Sequence, residues 1–174
     1  SLSQLLQEGI IKKGEEKIPL ARELEYAKFY VSLQNDRFNG KIHYQVNCTD
    51  QELLDLYIPK LTLQPLIENA VIHGLEPKYG EGHLAVNIYH ADNSLFIEVI
   101  DDGVGFTPEP SLLYGSTEEG TAGSGHKKIG LVNSDRILRH FYGIGYGLSV
   151  VSAPGRGCRV TLHIPVDTGK TEKR

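Results

Sequence analysis

Asn69 and His73 stand four residues apart in Leu63-Gln64-Pro65-Leu66-Ile67-Glu68-Asn69-Ala70-Val71-Ile72-His73-Gly74. On a helix that spacing puts both side chains on one face, while Leu66, Ile67, Ala70 and Val71 largely turn to a core. An asparagine carbonyl is a hard oxygen ligand suited to Mg²⁺, which takes one or two protein oxygens together with phosphates and waters. A surface asparagine, with a histidine satisfied by the helix dipole, is the plainer alternative. A second group, Ile97-Glu98-Val99-Ile100-Asp101-Asp102-Gly103-Val104-Gly105-Phe106, ends a strand-like run in D-x-G-x-G. An ionised aspartate only accepts hydrogen bonds, so Asp101 suits a ring carrying an exocyclic amine, such as adenine. Gly103 and Gly105 would let a flat base approach the backbone, although Asp-Gly after a strand is also an ordinary turn. The third group is Gly123-Ser124-Gly125-His126-Lys127-Lys128-Ile129-Gly130-Leu131-Val132-Asn133. Amides at a helix start with Lys127 and Lys128 beside them make a phosphate cradle; a glycine-rich stretch also serves as a linker.

These residues need elements to hold them. Leu2, Leu5, Leu6 and Ile10 fall at helical spacing and form a stub before Gly14. Pro19 opens a longer helix whose stripe is Leu20, Leu24, Ala27, Val31 and Gln34, ending near Asn39-Gly40. Lys41 to Asn47 alternates as a strand, and a helix after Pro59 carries Asn69 and is stopped by Gly74 and Pro77. His83 to His90 alternates, Ala91 to Ser94 turns, and Leu95 to Ile100 returns as a nearly all-apolar, buried strand. Thr107 to Lys128 lacks hydrophobic periodicity. Ile129 to Phe141 resumes a helix, and Gly147–Ser152 with Cys158–Pro165 closes the chain as a hairpin. Helices and strands in blocks with hairpin links predict an α+β fold, with helices on one face of a mixed, mainly antiparallel sheet.

Composition excludes several classes. The 174 residues carry 18 Lys+Arg against 22 Asp+Glu, a net charge of −4, so direct nucleic-acid binding through phosphate neutralisation is not expected. Cys48 and Cys158 make neither a metal spacing nor a disulfide framework, which suits a reducing cytoplasm. No apolar run approaches a membrane span. Of 19 glycines, 13 fall between Gly103 and Gly169, where two of the three motifs lie. The absence of methionine, with Ser1 at the start, reads as a piece of something longer. Residues 1–14 are taken as the end of an upstream helical region, 15–167 as one domain and 168–174 as a polar tail.

The order of motifs resembles the Bergerat ATP-binding fold, a two-layer α/β sandwich, of the GHKL superfamily that includes gyrase, histidine kinases and MutL. Within it the chain is most similar to sensor histidine kinases of the LytS type. The likeness rests on the Leu63–Gly74 segment, on Leu20–Tyr26, on Gln34-Asn35-Asp36-Arg37-Phe38 and on Ile58-Pro59. Downstream it rests on Gly130-Leu131-Val132-Asn133 with Arg136, Tyr142-Gly143, Gly155-Arg156-Gly157 and Ile164-Pro165. The resemblance implies that Asn69 coordinates Mg²⁺ on the ATP phosphates and that Asp101 takes the adenine amino group beside Gly103 and Gly105. It implies a lid over ATP at 107–128, with Gly125, Gly130 and Leu131 at its hinge. His73 and Asn133 become phosphate or lid contacts. It further implies a histidine kinase whose phosphoacceptor lies on helices upstream of this piece, because no histidine precedes His43. No catalytic residue of its own is then expected here. The implied partners are ATP or ADP, those helices, a response regulator receiver domain and a second copy of a membrane-anchored parent. Two positions depart from the pattern. Lys128 replaces a usual glycine two places before Gly130, where it could supply charge. Pro65 stands where hydrolytic members carry a water-activating Glu, which disfavours hydrolysis and favours transfer. A GHKL serine kinase or ATPase, or a degenerate nucleotide-sensing module, are the alternatives.

Overall fold

The structure, a computed structural model, describes residues 16–108 and 129–169. The expected stub at 1–14, most of the expected lid with Gly125 and Lys128, and the end of the tail lie outside these residues. Strand β1 (Lys17–Pro19) leads directly into helix α1 (Leu20–Arg37), with Pro19 as its N-cap. Proline suits this entry because its fixed φ and missing N–H cost nothing at a helix start. Asn39 and Gly40 both take positive φ and end the helix, as expected from an Asn-Gly pair. Strand β2 (Ile42–Cys48) follows, then a short 3₁₀ turn (Gln51–Asp55) and strand β3 (Tyr57–Pro59), which pairs antiparallel with β1. This two-stranded ribbon is absent from the sequence reading because three residues are too few for a period of two to show.

Helix α2 (Leu63–Glu68) carries the asparagine segment, but the chain does not stay α-helical. From Asn69 to Leu75 it widens into a π-helix, and Glu76 N donates to Val71 O, five residues back, at 2.8 Å. Such widened turns are rare and gather at functional sites. Strands β4 (Gly82–Ala91) and β5 (Ser94–Asp101) form the expected hairpin, helix α3 spans Ile129–Tyr142, and β6 (Gly147–Ser152) with β7 (Cys158–Pro165) forms the second hairpin. The five-stranded sheet runs β2-β4-β5-β7-β6, with β2 parallel to β4 and every other pairing antiparallel.

Helices α1, α2 and α3 pack on one face, which makes it the core side of the sheet. Leu84, Val86, Ile88, Leu95, Ile97, Val99, Val160 and Leu162 meet Leu20, Ala27, Val31, Leu66, Ile67, Val71, Leu131 and Leu138 there. This corrects the reading of Leu95–Ile100 as buried throughout. The strand alternates, with Leu95, Ile97 and Val99 in the core and Phe96, Glu98 and Ile100 half-buried on the other face. Phe96 stacks there between Tyr89, at 5.2 Å, and His163, at 4.6 Å, so cross-strand ring contacts shield it without a covering layer. The α1 stripe shifts as well. Glu23 lies in the core with Leu20 and Ala27, whereas Leu24 is only half-buried. The two ends of the described chain are joined by a Lys17–Asp167 ion pair at 2.6 Å, and Tyr57 N of β3 donates to Asp167 O at 2.7 Å.

Candidate functional site

A narrow cleft opens between the π-helical segment and the end of β5. It is lined by Asn69, His73, Gly74, Asp101, Gly105, Phe106 and Cys158. Two motifs that lie apart in sequence, at 63–74 and 97–106, therefore meet. The π-turn and the antiparallel pairing of β5 with β7 build this place. Asp101 is the last residue of β5 and sits opposite Cys158, the first residue of β7.

Asp101 is 5% exposed. One carboxylate oxygen, Oδ1, accepts the Gly103 amide at 2.9 Å. No further hydrogen bond to this carboxylate occurs among the described residues. Burial pushes its carboxyl up to about 6, opposed by the Gly103 amide, while the charge of Asp102 raises it further. A buried acceptor with spare lone pairs is the group an amine-bearing ring would satisfy. Burial also pushes the Cys158 thiol up to about 12, with the nearby Asp101 charge adding to it, so Cys158 lines the cleft as a neutral thiol.

The glycines here have packing reasons that the sequence did not show. A Cβ on Gly74 would come within 2.5 Å of Asp101 Oδ1, so this glycine is what lets the aspartate lie against the π-turn. A Cβ on Gly103 would meet the Gly74 backbone, and one on Gly105, whose φ is +64°, would meet the Ala153 carbonyl oxygen. The room expected for a base beside Gly103 and Gly105 is thus shared with neighbouring backbone. Val104 N donates to Gly74 O at 3.0 Å and Gly155 N donates to Val104 O at 2.7 Å, which fixes this crossing.

Asn69 is 8% exposed and lines the same cleft as His73, as expected from their spacing. Among the described residues no group of three His, Cys, Asp or Glu side chains could hold a metal ion. The single side-chain oxygen of Asn69 fits a Mg²⁺ ion arriving with a nucleotide, which brings most of its own oxygens. Asp102 faces away from the cleft. Burial works to raise its carboxyl, but the His83 amide at 2.7 Å, the His83 ring at 2.8 Å and Lys78 at 3.0 Å hold it below the usual carboxylate range.

Three candidates from the third motif fall on α3. A Cβ on Gly130 would lie 3.5 Å from the Pro65 side chain, so the start of α3 rests on α2. The side chain of Leu131 is buried in the core, which leaves only its backbone to face a ligand. Asn133 is half-buried and does not line the cleft. Phe106 and Cys158 were not anticipated as lining residues. Cys158 enters only through strand pairing, for which its local sequence carries no signal.

Comparison with known proteins agrees with this geometry. Residues 58–168 match the family described as histidine kinase-, DNA gyrase B- and HSP90-like ATPase. The sensor protein LytS of Oceanobacillus iheyensis is 38% identical over 112 residues, covering 64% of this chain and 19% of the relative. The sensor histidine kinase YpdA of Escherichia coli strain K12 is 30% identical over 171 residues, covering 95% of this chain and 27% of the relative. The chain therefore spans about a fifth to a quarter of the length of these relatives. Among solved structures, the catalytic domain of histidine kinase ThkA superposes with a TM-score of 0.59 at 14% identity, covering 87% of this chain and 96% of that one. The mycobacterial sensor histidine kinase MprB gives 0.58 at 16%, covering 87% and 97%. The expected two-layer sandwich is thus the fold found.

Proposed function

The chain belongs to the histidine kinase-, DNA gyrase B- and HSP90-like ATPase family, and from that premise we propose that it is the ATP-binding catalytic part of a LytS-type sensor histidine kinase. The observation that carries this reading is Asp101, a buried carboxylate with unused acceptor capacity at the floor of a cleft whose wall holds Asn69. Asp101 fixes the adenine ring by accepting from its exocyclic amine. Asn69, with His73 beside it, faces the phosphates, and its side-chain oxygen is the protein ligand for Mg²⁺. When bound, Mg²⁺ neutralises phosphate charge. Gly125, Lys128, Gly130 and Asn133 belong to the phosphate side of the site and to the lid at 107–128.

The domain holds no nucleophile for covalent catalysis in this reading. Its contribution is to hold ATP in line with an incoming imidazole and to exclude water, since phosphoryl transfer rests on positioning and charge stabilisation. The acceptor histidine lies on the phosphoacceptor helices of the parent chain, of which residues 1–14 are the end; residues 15–167 are the catalytic domain and 168–174 its tail. From that histidine the phosphoryl passes to an aspartate of a response regulator. The parent is a homodimer anchored in the membrane with this domain in the cytoplasm; no described helix of the domain is itself long and apolar enough to span a bilayer. Hydrolysis by a gyrase-like route is disfavoured because Pro65, packed under Gly130, supplies no base.

The test is a titration with labelled ATP, with and without Mg²⁺, of the wild type, Asp101→Asn and Asn69→Ala, followed by addition of a separate histidine-bearing fragment. Asp101→Asn is expected to abolish most adenine nucleotide affinity, and Asn69→Ala to remove the Mg²⁺ dependence. Acid-labile phosphate is expected only on the added fragment. Adenine nucleotide affinity left intact by Asp101→Asn would overturn the assignment, and rapid ATP turnover by the chain alone would favour the hydrolytic alternative.

A further inference from the structure

Helix α2 is short, and its start is held by a residue from another helix. The first turn of any helix leaves amides without intrahelical acceptors. Thr62, the N-cap, is a residue type that normally accepts one of them through its hydroxyl. Here its backbone is already helical, it makes no side-chain cap, and Oγ1 donates instead to the Pro59 carbonyl at 2.9 Å. Pro65 has no amide to satisfy. The remaining donors turn to Glu23 of α1, which is 2% exposed. Its Oε1 accepts from Leu61 N at 2.8 Å and its Oε2 from Leu63 N at 3.2 Å, with the Gln64 amide also directed at the carboxylate. Leu61 itself takes a φ of +57°, a turn that a bulky residue adopts only when its surroundings impose it. Burial pushes the Glu23 carboxyl up to about 7 in spite of these donors and of Lys60 nearby.

We propose that Glu23 is a positioning residue, an N-cap supplied from α1 that sets the rise and rotation of α2 and thereby the place of Asn69 in the cleft. Asn69 is the C-cap of a six-residue helix, so fewer than two turns separate it from the carboxylate. A rotation at the capped end is passed on without a long helix to absorb it. Beyond Asn69 the hydrogen-bond register has already changed to the π form. Asp101 stands on β5 and is fixed independently by strand pairing and Gly103. Glu23 therefore governs one wall of the cleft and not its floor. In its functional consequence the proposal rests on the reading of Asn69 as the Mg²⁺–ATP ligand.

The experiment compares wild type with Glu23→Gln, a near-isosteric neutral side chain that keeps one acceptor oxygen and opposes an N–H with another. Each is titrated with ATP in Mg²⁺ and with ADP in EDTA, and the side-chain amide resonance of Asn69 is recorded by NMR without nucleotide. The gain in ATP affinity from Mg²⁺ is expected to fall by roughly tenfold, as for other groups that orient a metal ligand. ADP affinity in EDTA is expected to stay within about twofold, since Asp101 is untouched, and the Asn69 resonance is expected to shift. A merely structural role would weaken both nucleotides together. An undiminished Mg²⁺ gain, or an equal loss in both titrations, overturns the proposal. If the wild type binds no adenine nucleotide, the proposed function fails by itself. The Asn69 resonance then decides the positioning: a shift upholds it and an unchanged resonance overturns it. Should Glu23→Gln not fold, Glu23→Asp, which keeps the charge and withdraws it by one methylene, provides the same readings.

Discussion

Among the described residues two carboxylates are buried, at opposite ends of the asparagine segment, and they are used differently. Glu23 faces the start of α2 and both of its oxygens accept backbone amides. Asp101 faces the far end, beneath Gly74, with one oxygen on the Gly103 amide and no other hydrogen bond to the carboxylate among the described residues. Burial pushes both up, to about 7 and about 6. Equal burial therefore does not mean equal role. A carboxylate whose lone pairs are spent on the fold is part of the scaffold, whereas one left with lone pairs to spare is prepared for a donor from outside.

The two roles separate most at Glu23. Glu23→Ala withdraws the carboxylate to which the Leu61 and Leu63 amides donate and is expected to cost about 3 kcal/mol of stability, a fall in melting temperature of roughly 6–12 °C. Thermal unfolding followed by circular dichroism measures it; an unchanged transition would mean that water replaces the cap. Asp101→Asn should do the opposite. Its stability is expected to hold or rise, because a desolvated charge is removed, while adenine nucleotide affinity drops by roughly 10- to 100-fold. Isothermal titration beside the same melting experiment separates the two signs.

Acidity sharpens the contrast at a smaller scale. A ring amine needs the ionised form of Asp101, so ATP affinity in the wild type is expected to fall about tenfold from pH 7 to pH 5, following a carboxyl near 6. Asp101→Asn should flatten that profile and Glu23→Gln should not. Stability runs the other way. Both folded carboxyls lie above their unfolded values, so the stability they contribute is full below about pH 4 and is lost as pH rises through 6 and then 7. Denaturant melts across that range would show it, and Glu23→Gln is expected to remove the upper part of the slope. The smallest effect is expected outside the cleft. Lys78→Ala removes a partly exposed pairing with Asp102 and should change stability by no more than about 0.5 kcal/mol, with nucleotide affinity unaltered. A large loss of affinity would show that the outer side of the Asp101 turn matters as much as the inner.

Much of this was legible in the sequence. The stretches with clear periodicity, Leu20–Gln34, His83–His90 and Ile129–Phe141, formed the expected elements because apolar spacing is a local property. The spacing of Asn69 and His73 placed both in the cleft even though the helix widens there, since a four-residue step stays near one face in either geometry. The likeness carried by Leu63–Gly74 and by the D-x-G-x-G of Asp101–Gly105 is enough to point to the family. Less legible was Glu23, although its position three after Leu20 and four before Ala27 set it inside an apolar stripe. Its partners are 38 and 40 residues away, and no local pattern records a bond of that range.

The sequence by itself determined the family, the order of the longer elements and the residue types that gather at the cleft. Each follows from short-range spacing that a helix or strand turns into a face. Tertiary structure decided what the glycines are for, why Leu95–Ile100 alternates, and which buried carboxylate is occupied. Those depend on where backbone segments cross: Gly74 against Asp101, Gly105 against Ala153, and Glu23 against Leu61 and Leu63. Such crossings are made by the packing of helices on a sheet, and hydrogen-bond capacity is spent or spared only once they exist.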